Sequence, residues 1–188
     1  MDENKLLDFF ILAGKLKNEK RRGWKVSGVK NIESVADHSY RLALMTYVIG
    51  SKMDLDVNKA MKMALVHDIA EAIVGDVIVW KDFDMTKEEK RRKESEAIEK
   101  IREMLGDHSK GIIELWEEYE ERKTKEAKLV HDVDSLEMIL QAMEYKKDIN
   151  ENELNEYIDT FFEEETTRTV NNPELIKMLE AIKKRISQ

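Results

Sequence analysis

A single proline, Pro173, and seven glycines are all that interrupt this chain of 188 residues, so long stretches contain nothing that must break a helix. Along those stretches the apolar residues recur three and four apart and do not alternate, which is the spacing of helices that bury one face. The chain reads as all-α. No repeat, low-complexity tract or linker divides it, and its length suits one domain with a substantial core. The expectation is a single domain over residues 1–188, with C-terminal helices from about Glu151 packing on the rest.

Local signals place about seven helices. The first spans about Asn4 to Lys20, and "RRGWKVSGVKNIE" follows as a loop. The hydroxyl of Ser34 can cap the amide of Asp37 and open a second helix that reaches about Met53. Asp56 can cap a third, to about Ile73, which Gly75 terminates. Thr86 and Glu89 form a capping box for a fourth, ended by Gly106. A fifth covers about Lys110 to Arg122, Thr124 opens a sixth through about Lys147, and Asn172 with Pro173 begins the last.

Composition excludes several classes of function. Zero cysteines rule out a disulfide framework and a thiolate-bound metal, and "MDENKLLDFF" carries acids where a secretory signal carries a basic patch. No run is apolar for long enough to cross a bilayer, and cytoplasm is the expected location. A formal net charge of −8 argues against nucleic-acid polymers, whose phosphates call for a broad basic surface. Runs such as "TKEEKRRKESEAIEK" read as solvated helix faces with pairs four residues apart.

Against this background three helices carry ionisable groups on stripes that should be apolar. His38 shares a face with Leu42, Met45 and Ile49. His67 lies with Ala60, Met63, Ala70 and Glu71, inside "LVHDIAEAIVGDV". Asp134 sits between Val130 and Met138. If these stripes face one core, imidazoles and carboxylates converge there, and a divalent cation is the simplest compensation for that much buried negative charge. His67 and Asp68 are about 100° apart on a helix, so both reach one ion only if it sits over the edge between them. His38 and Asp134 are the best-placed further ligands, giving two imidazoles and two carboxylates that suit Mn, Fe, Co, Ni or Zn better than calcium. His131, one turn before Asp134, competes but reads as a helix-surface residue, and His108 reads as solvent-exposed.

The stretches "ESVADHSYRLALM", "ALVHDIAEAIVGDV" and "EAKLVHDVDSLEMILQAMEY", with "KEEKRRKESEA" between the last two, resemble the successive signatures of the HD-domain phosphohydrolases. The resemblance covers roughly residues 10–147 and points to the small single-domain branch that includes the 5′-deoxynucleotidases. It implies an orthogonal helical bundle, usually dimeric. It also implies a divalent cation (Mn, Co, Fe, Ni, Zn or Mg) held by His38, His67, Asp68 and Asp134, and hydrolysis of deoxynucleoside 5′-monophosphates.

Carried over by position, Glu71 and Asp76 match the family's acidic pair beside the metal, Arg21 the basic residue that meets the phosphate, and Trp24 an aromatic near the sugar. Arg22 is an alternative to Arg21. A proline common after the "GD" element is missing from "GDVIVWKD". In chemical terms Glu71 suits proton transfer, and Asp76 could orient a water or help hold a second cation. Two other readings stand beside this one: hydrolysis of a nucleoside triphosphate or signalling nucleotide, which needs basic groups for a second phosphate, and a non-catalytic adaptor whose helices a metal merely holds together.

Overall fold

The structure is a computed structural model and describes residues 2–79, 84–148 and 170–186. Among these the regular elements are all helical, and a lone antiparallel bridge joins Lys20 to Ser34. No helix among the described residues is long and apolar enough to cross a membrane.

The capping signals mark where several helices begin. Asp2 opens α1 (Glu3–Gly14) by accepting from the amide of Asn4. Ser34 and Asp37 close a reciprocal capping box at the start of α3 (Val35–Gly50), and Thr86 with Glu89 does the same for α6 (Lys87–Leu105). Asp56 caps α4 (Val57–Val66) through the amide of Lys59. Then come α7 (Lys110–Glu121), the long α8 (Lys125–Asp148) and α9 (Pro173–Ile186), where Asn172 accepts from the amide of Glu174. The helix expected from about Glu151 lies outside the described residues.

Three boundaries differ from expectation. Past Gly14 the first helix tightens into a 3₁₀ turn, Lys15–Lys17, and does not reach Lys20. The expected loop after it contains a short helix, α2 (Arg22–Val26). The expected third helix also breaks. It leaves α-helical bonding after Val66, and bonds of the 3₁₀ kind follow, from Ile69 N to the Val66 carbonyl and from Glu71 N to the Asp68 carbonyl, before α5 (Glu71–Val74).

That break marks a change of partner. Ala60, Met63 and Ala64 of α4 belong to a core formed with Leu42 of α3, Val130 and Leu136 of α8, and Leu175 and Leu179 of α9. Ile69, Ala70 and Ala72 belong to a second core with Phe9 and Leu12 of α1, Ile98 and Ile101 of α6, and Trp116 of α7. A helix buries one stripe against one neighbour, so a chain passing from one core to the other must turn. His67 and Asp68 occupy the turn.

Candidate metal centre

His67 caps α4, and its Nδ1 lies 2.9 Å from the Ala64 carbonyl one turn back. A carbonyl only accepts, so the proton sits on Nδ1 and the lone pair of Nε2 faces outward. His38, on α3, is oriented the same way: Nδ1 lies 2.6 Å from Oε2 of Glu137, and Nε2 is left toward the acids. Asp134, on α8, has its Oδ2 fixed by the hydroxyl of Tyr119, which donates at 3.0 Å.

The remaining atoms of these side chains face one another. His38 Nε2 is 3.3 Å from Asp134 Oδ1 and 3.9 Å from Asp68 Oδ2, and His67 Nε2 is 3.0 Å from the same Asp68 oxygen. One ligand atom from each of His38, His67 and Asp134 falls within 4.8 Å of the others. His38 Nε2, Asp68 Oδ2 and Asp134 Oδ1 are buried and find no hydrogen-bond partner among the described residues. Buried acceptors gathered without a donor repel one another and forgo hydration. A proton on His38 Nε2 would satisfy part of the set: burial and Arg21 oppose it, but hydrogen bonds to Asp134 and Glu137 prevail and lift that imidazole to about 10. A divalent cation satisfies all of them at once, so the donor set fits such an ion.

Burial alone would raise the two aspartates. The His67 imidazole beside Asp68, and the His38 imidazole against Asp134, outweigh it and hold both well below the usual carboxylate range.

The loop before α3 brings a cation to the rim. Its ends are tied by hydrogen bonds from Val35 N to the Glu19 carbonyl and from Arg21 N to the Glu33 carbonyl. Arg21 then points inward, with NH1 3.6 Å from Asp68 Oδ2. Arg22 points away: its NH2 donates to Asp84 at 2.6 Å, while its backbone N–H donates to Asp76 at 2.5 Å. Asp76 reaches that amide because Gly75 adopts φ +80°, a backbone region that disfavours other residues, immediately after α5.

Glu71 is buried, and its Oε2 has no hydrogen-bond partner among the described residues. Burial first, then Asp68 and Asp76, push its carboxyl well above the usual range against the pull of Lys90. Lys90 lies 3.4 Å from both Glu71 and Glu94, whose own carboxyl burial raises to about 7.

The structure thus gathers His38, His67, Asp68, Asp134, Arg21 and Glu71, with Asp76 on the flank. Trp24 stands apart from this group. It is 2 % exposed, packs edge-on to Tyr145 and donates its indole N–H to Glu33, so it presents no open ring face to a sugar; tight packing in a small core with Val29 and Ala142 is the reason. His131 is not a surface residue either: it stacks on Tyr119 and its Nε2 donates to the Tyr119 carbonyl. His108 is exposed. Sequence reasoning missed Glu137, Tyr119 and Lys90. Glu137 left a trace, as it falls one turn beyond Asp134 on the same face of α8.

An all-helical protein with two histidines and two carboxylates converging at a helix break is the class that fold and site define. A family model for the HD domain matches residues 13–177. The 5′-deoxynucleotidase HDDC2 of Dictyostelium discoideum is 45% identical over 165 residues, covering 84% of this chain and 86% of that protein. Its namesake from Homo sapiens is 41% identical over 176 residues, 93% of this chain and 82% of that one. A crystal structure of a Pyrococcus horikoshii OT3 protein superposes with a TM-score of 0.77 at 32% identity, covering 96% of this chain and 99% of that one. The chain belongs to the HD-domain family.

Proposed function

We propose that this protein is a metal-dependent 5′-deoxynucleotidase, a phosphoric monoester hydrolase that splits deoxynucleoside 5′-monophosphates into nucleoside and phosphate. The observation that carries the reading is the knot of buried, partnerless acceptors from His38, Asp68 and Asp134, joined by His67, beside a buried protonatable acid. The curated relatives named 5′-deoxynucleotidase support the substrate class. A cation held by His38, His67, Asp68 and Asp134 neutralises phosphate charge and acidifies water. Two imidazoles in the set favour Mn, Fe, Co, Ni or Zn over magnesium.

The chain's own residues do the rest. Arg21, aimed at the acids, offers a planar fork to the phosphate, whereas the Arg22 guanidinium is engaged by Asp84. In the reaction a water oxygen bonds to phosphorus, the bond from phosphorus to the 5′-oxygen breaks, and the leaving oxygen takes a proton. Glu71, raised well above the usual carboxylate range, is suited to accept the water's proton and deliver one to the leaving group. Asp76 anchors the start of α2 through the Arg22 amide and so holds Arg21 at the rim. Asp76 and Glu71 are also where a second cation would bind.

The protein is further read as a cytoplasmic homodimer. Zero cysteines suit a reducing compartment. Tyr40, Leu44, Tyr47 and Val48 form an exposed apolar stripe along α3, which supports self-association.

The deciding experiment is phosphate release from a panel of nucleotides, after chelator treatment and re-addition of single divalent metals. Metal-restored release from deoxynucleoside monophosphates is the expected result. Release from triphosphates or cyclic nucleotides alone would reject the assignment, and none from any substrate would leave the adaptor reading in its place.

A further inference from the structure

His38 is gripped from behind. Its Nδ1 lies 2.6 Å from Glu137 Oε2, and neither side chain has exposed surface. Glu137 is held in turn by Arg41, whose Nε donates to Oε1 at 2.7 Å. The same guanidinium donates to Gln141 and, at 2.6 Å, to Glu144. Arg41 follows His38 by one turn of α3, and Glu137, Gln141 and Glu144 share a face of α8, so the two helices are stitched by charge where apolar packing would have served.

Burying a carboxylate is costly even when a half-buried guanidinium pairs with it, and well-packed apolar residues often join two helices as stably. Such a network calls for a role that apolar residues could not fill. The imidazole supplies one. A carboxylate accepts and does not donate, so it keeps the His38 proton on Nδ1 and leaves the lone pair on Nε2, the atom that faces Asp134 and Asp68. Because Arg41 holds Oε1 through both Nε and NH2, the carboxylate is fixed with Oε2 against Nδ1, which also fixes the plane of the ring.

We propose that Glu137, clamped by Arg41, is a positioning residue that sets the tautomer and ring orientation of His38 for metal binding through Nε2. The proposal rests on the metal-site reading above and can be tested without measuring activity.

The test is binding of Mn²⁺ to the full chain after chelator treatment, followed by electron paramagnetic resonance of the free ion, together with ¹⁵N NMR of the histidine rings in Zn²⁺-loaded protein. Glu137→Gln keeps the size and an acceptor oxygen but loses the charge, and its amide can turn to present a donor. The expected result is Mn²⁺ affinity weaker by about 10- to 100-fold, the usual loss when the partner behind a ligating histidine is changed. The His38 ring should also lose its single tautomer, and the melting temperature of the chelated protein should not fall. Arg41→Gln leaves Glu137 in place and should weaken Mn²⁺ in the same direction by less. Parent-like affinity in Glu137→Gln with a lowered melting temperature would make the network a structural tie and overturn the proposal. If Glu137→Gln does not fold, unchanged affinity in Arg41→Gln overturns it instead. Failure of the parent to bind either ion would overturn the metal reading first, and the proposal with it.

Discussion

The two sides of the site are held in opposite ways. On one side His38, His67 and Asp134 each commit an atom to a fixed neighbour, the Glu137 carboxylate, the Ala64 carbonyl and the Tyr119 hydroxyl. On the other, Glu71 has, among the described residues, only a 3.4 Å contact with Lys90, and Arg21 stands 3.6 Å from Asp68. Rigid ligands favour a cation because little ordering remains to be done when it binds. Groups that must exchange protons or meet a substrate gain from being less firmly bonded. The contrast teaches that preorganisation here follows the proposed chemistry residue by residue.

The harshest way to break the ordered side is Asp134→Ala, which removes a proposed ligand and strands the Tyr119 hydroxyl. Metal content by elemental analysis should fall sharply, and kcat/KM should fall on the order of 10³-fold or more, since the ion is asked for several kcal/mol of transition-state stabilisation. Full metal occupancy in that variant would shift the ligand elsewhere.

Glu71→Gln strikes the other side alone. It should keep its metal and its melting temperature while kcat drops about 10²- to 10⁴-fold. If metal is lost as well, Glu71 belongs with the ligands and the contrast collapses.

Arg21→Ala should act mainly on KM, raising it roughly 10- to 100-fold for the loss of a charged hydrogen bond. Arg22→Ala serves as the matched control and should move KM much less, because its guanidinium is turned to Asp84. Equal effects from the two would place the phosphate elsewhere.

The smallest effect concerns stability and pH. Glu94 titrates at about 7 in the folded chain, above the ordinary carboxyl value of 4.5, so the folded state keeps a proton that the unfolded chain releases. Stability from this group is complete below about pH 4.5 and is lost as pH climbs through the window to about 7. In chelated protein, urea melts at pH 5 and pH 8 should show a smaller loss for Glu94→Gln than for the parent, by on the order of 1–3 kcal/mol. Identical losses would show that Lys90 already holds Glu94 ionised.

Much of this was legible in the sequence, and the limits were physical. Helix starts could be read because Ser34, Asp56, Thr86 and Asn172 state their business locally, through side chains that bond amides two or three residues ahead. His38, His67 and Asp134 stood out because a polar residue on an apolar stripe is conspicuous. Lys90 could not be told from its neighbours in "KEEKRRKESEA", since only tertiary packing decides which charge in a run is buried. The resemblance alone sets Trp24 near the sugar, and the packing of Tyr145 against it is invisible in one dimension. The break after Val66 escaped notice because residues on both sides of it are good helix formers; what divides them is that they belong to different cores.

That division bears on how the molecule comes apart. α8 carries Asp134 from the first core, α3 carries His38 between Val35 of the second core and Leu42 of the first, and the chain through His67 and Asp68 leads directly into the second. A cation shared among them would act as a rivet between two bodies of apolar packing, coupling their melting into one event. Without it the cores are free to open at separate free energies, as independent cooperative units. Amide hydrogen exchange would then show a single slow class in the loaded protein and two classes once the rivet is drawn, one for the core around α4, α8 and α9 and one for the core around α1, α5 and α6.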